Sequence, residues 1–407
     1  MRLVLMSFPN GFSIDINSFK AWSMALLVYG LPNFYGSGWC DYPPGYMYVL
    51  WLTGQIYQWF DPFLLHTDQN LLTFLIKLVP AVADLGASLL IFYILCNITS
   101  VKSAQIGAII YAFNPVLIFL SSVWGQIDSV VIFLMLATVY LLLKDKFVLA
   151  IIITSLTVIV KPQGLFLAPI LIFSQLRQRS LWQWLLGITA SLVSVWLSVL
   201  PFVWQKIEPS SLLSWLSTPW HFLYKQFIAG ANVYPYATVN AFNVWIMANW
   251  QSDRSVWLGM SYQTIGLLLL VVVLVWVAVL LLRNPTSLFT ATALLLIAVF
   301  MLGTRMHERY IVYALPFLLI AGSYINKVKF LYGLFTVTAL VNISYVYVEY
   351  NYESLWHNIP VYLQQVMPIA VAVCNLGLFI GLVVLSNYSL GTLQSKSSES
   401  LGVTTII

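Results

Sequence analysis

From Val256 to Leu282 the chain carries no aspartate, glutamate, lysine or arginine, and several other stretches are nearly as bare. A helix needs about 20 mostly apolar residues to cross a bilayer core. Runs of this kind therefore constrain the fold more than any motif does. Across all 407 residues, 61% are hydrophobic and only 8% are charged, against roughly 25% charged in a soluble domain. A soluble fold has too little interior to hide so much apolar side chain, so the composition implies an all-α polytopic membrane protein. The net charge of +5 comes from scattered basic residues. That pattern reads as loop charge and not as a nucleic-acid footprint. Cys40, Cys96 and Cys374 form neither a metal-binding spacing nor a disulfide framework. No repeat array or cleavable signal peptide is apparent.

Met1 to Pro9 hold only a short apolar run, and Ser13 to Val28 mix apolar and polar residues at helical spacing. This predicts an interfacial helix ending at Gly30. Pro44 to Phe60 is apolar and aromatic but carries Gln55 and Gln58, so it either crosses the membrane or lies along it; Asp61, His66 and Asp68 follow in a polar loop. Spanning candidates then run over Leu71–Cys96, Ser103–Ser121, Asp128–Leu143, Phe147–Val160, Gly164–Leu176 and Leu181–Val203. After a long loop come Val256–Leu282, Ser287–Gly303, Tyr310–Ile325, Phe330–Val348 and Val361–Leu385. That is about eleven crossings. The short pair around Lys161 reads as a tight hairpin or as two broken half-helices. Three regions follow: a first segment 1–70, a helical domain 71–386 with a long loop 204–255, and a cytoplasmic tail 387–407.

Lys102, Lys144 with Lys146, Arg177 with Arg179, Arg283, Lys327 with Lys329, and Lys396 fall in alternate loops. If Pro44 to Phe60 does not cross, all of them face the cytoplasm, as the positive-inside bias requires. The opposite loops then share the extracytoplasmic side, and the polar motifs lie there.

In Trp39-Cys-Asp-Tyr-Pro-Pro-Gly-Tyr46 the prolines favour a helix start, and Asp41 reads either as a cap for that helix or as a site acid. Asp15 reads as a solvated interfacial aspartate or as a general base, which needs only an ionised carboxylate within reach of a hydroxyl. Trp124-Gly-Gln-Ile-Asp128 offers a stacking ring, a turn glycine and two hydroxyl-binding groups; Asp128 equally reads as a cap and Trp124 as an interfacial anchor. Lys161 interrupts an apolar stretch, where a cation must pair, snorkel or meet an anionic ligand. Arg305, His307, Glu308 and Arg309 crowd into five residues and suit a phosphate group. Val233 to Trp245 interleaves aromatics with Asn240 and Asn243, which suits sugar stacking and hydroxyl bridging, or simply interfacial anchoring.

Together these strings resemble the GT-C superfamily of integral-membrane glycosyltransferases, most closely bacterial proteins related to the GPI mannosyltransferase II family. The matching elements are Asp15 with Trp22, Asp41-Tyr-Pro-Pro-Gly-Tyr46, Trp124 to Asp128, Lys161-Pro-Gln163, Val239 to Trp245 and Arg305 to Tyr310. The acid-to-tryptophan spacing and the Tyr-Pro-Pro string are also similar to those of dolichyl-phosphate-glucose-dependent glucosyltransferases. The resemblance implies transfer of a hexose, mannose above all, from a polyprenyl-phosphate donor to a glycan or lipid-linked acceptor, with inversion, on the extracytoplasmic face of a bacterial plasma membrane. Asp15 matches the catalytic base and Asp41 a second acid. Arg305, His307, Arg309 and Lys161 would hold the donor phosphate. Tyr42, Trp124, Gln126, Asp128, Gln163, Asn240, Asn243 and Glu308 would contact sugar or acceptor. No cofactor is required and a divalent metal is left open; the expected partners are membrane lipid, donor and acceptor, with no nucleic acid. GT-C proteins begin with a transmembrane helix ahead of the first loop, and the resemblance leads to the expectation that this helix is either lost here or encoded upstream of the assigned start. Rival readings are a flippase or transporter, whose polar residues would line the spans near the midplane, and a non-catalytic assembly partner.

Overall fold

A computed structural model describes residues 1–8, 10–64 and 69–400, with 285 and 388–400 described by backbone alone. His66 and Asp68 lie outside the described residues. The chain is 78% helical. In order come α1 (Arg2–Met6), α2 (Ser13–Asn33), α3 (Pro44–Phe60), α4 (Asn70–Cys96), α5 (Val101–Ala112) and α6 (Pro115–Ile118). Then follow α7 (Asp128–Leu143), α8 (Phe147–Val160), α9 (Ala168–Gln175), α10 (Leu181–Val203) and α11 (Leu212–Ala231). A two-stranded hairpin, β1 (Val256–Trp257) and β2 (Met260–Ser261), leads into α12 (Tyr262–Arg283). The last helices are α13 (Leu288–Leu302), α14 (Leu315–Gly322), α15 (Asn326–Asn351), α16 (Glu353–His357) and α17 (Val361–Ser400).

Among the described residues, five helices are long and apolar enough to cross a membrane: α4, α10, α12, α15 and α17. A sixth arises if the pair Val101–Ala112 and Pro115–Trp124, bent by 43°, is one span. Four more are apolar but shorter. The protein is membrane-embedded, but of the about eleven crossings expected from sequence only five, or six with the bent pair, are helices long and apolar enough to span among the described residues.

Breaks in the helices have local causes. Asn114 caps α6 by accepting from the peptide N–H groups of Val116 and Leu117, with Pro115 at the first helical position. Its amide also donates to Tyr332 (2.8 Å) and Thr336 (3.0 Å) of α15. Lys161 is extended (φ −155°, ψ 130°) because it precedes Pro162. The helix expected from Val256 begins only at Tyr262, since Leu258 (φ 52°) and Gly259 (φ 80°) turn the chain into the hairpin. In α2 the expected end at Gly30 is a non-helical residue (φ 69°), after which the helix runs on to Asn33. The loop 204–255 contains α11. The segment expected as a tail from Asn387 continues α17 as far as Ser400.

Two large apolar cores, with two smaller clusters besides, hold the described bundle. One centres on α13, of which every residue but Val299 is buried. The other joins α2, α3, α4 and α10. The N-terminal segment is pinned by charges inside the bundle. Arg2 pairs with buried Asp84 of α4 at 2.7 Å, and Lys77, also buried, donates to the carbonyls of Phe8 (2.9 Å) and Asn10 (2.6 Å).

Candidate functional site

A cavity of about 590 Å³ opens between the two cores. Asp15, Asp41, Tyr42, Lys161, Gln163, Asn240, Arg305, His307, Glu308 and Arg309 all line it. Segments from five separate parts of the sequence thus meet at one place.

Asp15 sits in the first turn of α2. Its Oδ2 accepts from Trp124 Nε1 (2.7 Å) and Gln126 Nε2 (2.8 Å). Gln126 Oε1 in turn accepts from the Ile127 peptide (2.9 Å) and from the Tyr42 hydroxyl (3.3 Å). Both amide atoms of Gln126 are thereby committed, and Asp15 is tied to the Asp41 loop through Tyr42. The stretch ahead of Asp15 docks on the same turn. The Phe12 peptide donates to the Trp124 carbonyl (3.0 Å), and the Phe12 ring stacks on Trp124 at 4.1 Å. Gly125 (φ 89°) permits this approach, since a Cβ there would stand 2.5 Å from Ile16 Cδ1.

Asp41 is not the cap of α3: the capping residue is Pro43, and no side chain caps that end. Burial pushes the Asp41 carboxyl up to about 6; the Asp15 charge adds to this, while Lys161 and Arg309 oppose it.

Trp124, Gln126 and Asp128 are fully buried behind the cavity wall. They support the lining groups without facing the cavity. Nor does Asp128 cap α7. It is the hub of an ion network: Oδ1 accepts from Lys161 Nζ (2.5 Å) and from the Tyr313 hydroxyl, and Arg309 Nε stands 3.3 Å from Oδ2. Arg309 also donates from Nη1 to Glu308 Oε1 (2.5 Å). Lys161 lies between the rings of Tyr42 and Tyr310, 5.8 and 5.6 Å from their centres. Among the described residues, Arg309 Nη2 has no hydrogen-bond partner. His307 meets the edge of Tyr234 at 5.0 Å. Burial, with the charges of Arg309 and Lys161, holds its imidazole well below the usual histidine range. It therefore offers a neutral hydrogen-bonding group in place of the cation expected from sequence.

Arg305 is tethered. Its Nε donates to buried Asp253 (2.6 Å) and its Nη1 to the Ala231 carbonyl (2.7 Å), from a left-handed backbone (φ 64°). Gln163 donates to the Tyr310 hydroxyl (2.7 Å), and its Oε1 has no partner among the described residues. The Asn240 side chain is consumed by Asn249 (2.8 Å), Trp250 (3.0 Å) and Tyr350 (3.3 Å). Asn243, expected beside the sugar, is a correction. It is fully buried away from the cavity, donating to the Phe300 carbonyl and accepting from the Trp245 peptide, so it shapes the loop. Sequence reasoning missed Asp253, Tyr313 and Tyr350. The first was legible in principle, as an acid within a long loop opposite a basic cluster. Among the described residues, no three of histidine, cysteine, aspartate and glutamate converge as metal ligands.

The sequence matches the description "Glycosyltransferase family 87" over residues 39–304, more than half of the chain. The chain belongs to glycosyltransferase family 87. This is a GT-C type family, and membership indicates a membrane glycosyltransferase. No curated protein matches the sequence. Asp15 and the cluster from Arg305 to Arg309 fall outside the matched residues, so their place in the site rests on geometry.

Proposed function

We propose that this family 87 enzyme moves a hexose, mannose foremost, from a polyprenyl-phosphate donor to an acceptor hydroxyl on the extracytoplasmic face, inverting the anomeric carbon. One observation carries this reading. Asp15 is gripped at Oδ2 by two donors, which leaves Oδ1 for a hydroxyl, and it lines the same cavity as Arg309 and Lys161. The volume, about 590 Å³, falls within the range of small-molecule sites.

In the step, Asp15 Oδ1 takes the acceptor proton while the acceptor oxygen forms a bond to the anomeric carbon. The bond from that carbon to the phosphate oxygen breaks, and the polyprenyl phosphate leaves with the electron pair. Its charge is met by Arg309 Nη2, by the Lys161 ammonium and by hydrogen bonding from neutral His307. Arg309 is shared with Glu308 and Asp128 beforehand, which keeps a buried cation in place for the arriving phosphate. Arg305 acts at one remove, by holding the loop that carries Asp253 against the loop that carries His307. Asp41 and Gln163 orient hydroxyls of acceptor or sugar. The affinity with GPI mannosyltransferase II relatives belongs to the same proposal and bears on the choice of mannose.

The test is transfer from a panel of radiolabelled polyprenyl-phosphate sugars into extracted lipid and glycan, with the anomeric configuration of the product read by NMR. Transfer of one hexose with inversion is expected. Transfer with retention, or from nucleotide sugars only, would overturn the reading.

A further inference from the structure

The helix α11 is split into stripes. Leu212, Leu216, Trp220, Tyr224 and Ile228 recur every four residues and are exposed, Leu212 by 75% and Tyr224 by 65%. Beside it, at about 100° around the axis, runs a second exposed row, headed by Leu213 and continued by the polar Ser217, His221 and Lys225. The remaining face is packed: Pro219 and Leu223 are buried, and the Trp215 carbonyl accepts from Trp196 of α10 at 3.1 Å. A solvated helix has no use for the apolar stripe. A spanning helix would not carry the polar one, and α11 is not among the helices apolar enough to span.

Its far end reaches the site. Gln226 donates from Nε2 to the carbonyls of Cys40 (2.7 Å) and Tyr42 (3.1 Å), bracketing Asp41. A Cβ at Gly230 would stand 2.8 Å from the Asp41 carbonyl oxygen, so the helix touches that loop directly. Phe227, Ile228, Gly230 and Ala231 line the cavity.

We propose that α11 is a bilayer-surface helix, seated in lipid along its apolar stripe from Leu212 to Tyr224, that fixes the Asp41 loop through Gln226. Lipid is the occupant because α11 packs on α10 at Trp196, beside which Leu192, Val193 and Leu197 of that apolar helix are likewise exposed. His221 and Lys225 then lie at the level of the phosphate headgroups, which match the charge of Lys225. Gln226 is a positioning residue, acting on Asp41 through the backbone on either side of it.

The test places a spin label singly at Leu216→Cys, Trp220→Cys, Tyr224→Cys, Ser217→Cys, His221→Cys and Lys225→Cys, with the three native cysteines replaced by alanine. The full chain is reconstituted in phosphatidylethanolamine–phosphatidylglycerol vesicles. High oxygen accessibility at 216, 220 and 224, with high nickel-chelate accessibility at 217, 221 and 225, is expected. Nickel access at all six (solvent), access to neither probe (a second copy or another protein), or oxygen alone at all six (the bilayer interior) would each overturn the proposal. A second arm rests on the transferase reading and uses Gln226→Leu. The kcat should fall roughly ten- to a hundredfold while the donor KM, the melting temperature and the label pattern stay put. An unchanged kcat, or a fall matched by lost thermal stability, would remove the positioning role. Wild-type protein that transfers nothing would instead sink the transferase reading and leave the label pattern to stand.

Discussion

At the scale of single residues, the two acids of the first segment differ in what their surroundings do to them. Asp15 is held by an indole and an amide, whereas Asp41 is half-buried with no other side chain donating to it among the described residues. Burial raises Asp41 from the ordinary 3.8 to about 6, so its protonated form is favoured in the folded state. Below about pH 4 that preference costs nothing, and as the pH rises through 6 the folded protein must bear a half-buried charge. The Asp41→Asn variant should therefore be more stable than wild type at pH 7.5, by at most about 3 kcal/mol. The gain should shrink toward zero near pH 4, as read by thermal melts in detergent. Transfer by the same variant should fall. Asp15 and Asp41 were legible in the sequence because acids are so scarce in this chain. The neutral state of His307 was not, because it follows from burial beside Arg309 and Lys161, which are distant in sequence or pointed by the fold.

At the scale of elements, the site is made by interrupting helices. Gly125 ends the helical turn at Trp124, Pro162 ends α8, and residues 303–309 separate α13 from the helical turns that follow. Apolar runs showed where helices lie, and α7, α8 and α10 fall on the expected boundaries. What the runs did not show was α11, whose polar stripe dilutes the hydropathy of a surface helix, nor the burial of Lys77 and Asp84 inside α4. Both carry charge through a segment that reads as plain membrane span, because their partners lie in the first ten residues. Two variants test the packing. A Cβ at Gly45 would stand 2.6 Å from the Ile159 carbonyl oxygen, with backbone on both sides of the contact. Gly45→Ala should therefore push α3 off α8 and cost about 1–3 kcal/mol. Asp128→Ala leaves Lys161 buried without its carboxylate, and should cost about 3–5 kcal/mol. A melting temperature unchanged in either variant would contradict the contact it tests.

At the scale of the whole molecule, loops far apart in the chain share one cavity, which requires them to share one side of the membrane. Cysteines placed at Ser37 and Ser252, both exposed, should react with an impermeant maleimide from the same side, and one at Lys146 only from the other. Labelling of Ser37→Cys and Ser252→Cys from opposite sides would contradict the arrangement. The alternation of basic loops led to the expectation of a common surface, but the depth of the ion network was not legible, since spacing alone does not tell which cations meet which acids. Family 87 membership makes the chain a membrane glycosyltransferase, and the account adds that Asp15 takes the proton. The most direct measurement is transfer by Asp15→Asn in membranes, beside its melting curve. The account predicts a fall in kcat of roughly a hundredfold or more, with the fold intact. Wild-type turnover in a folded Asp15→Asn protein would contradict it and pass the role of base to Asp41.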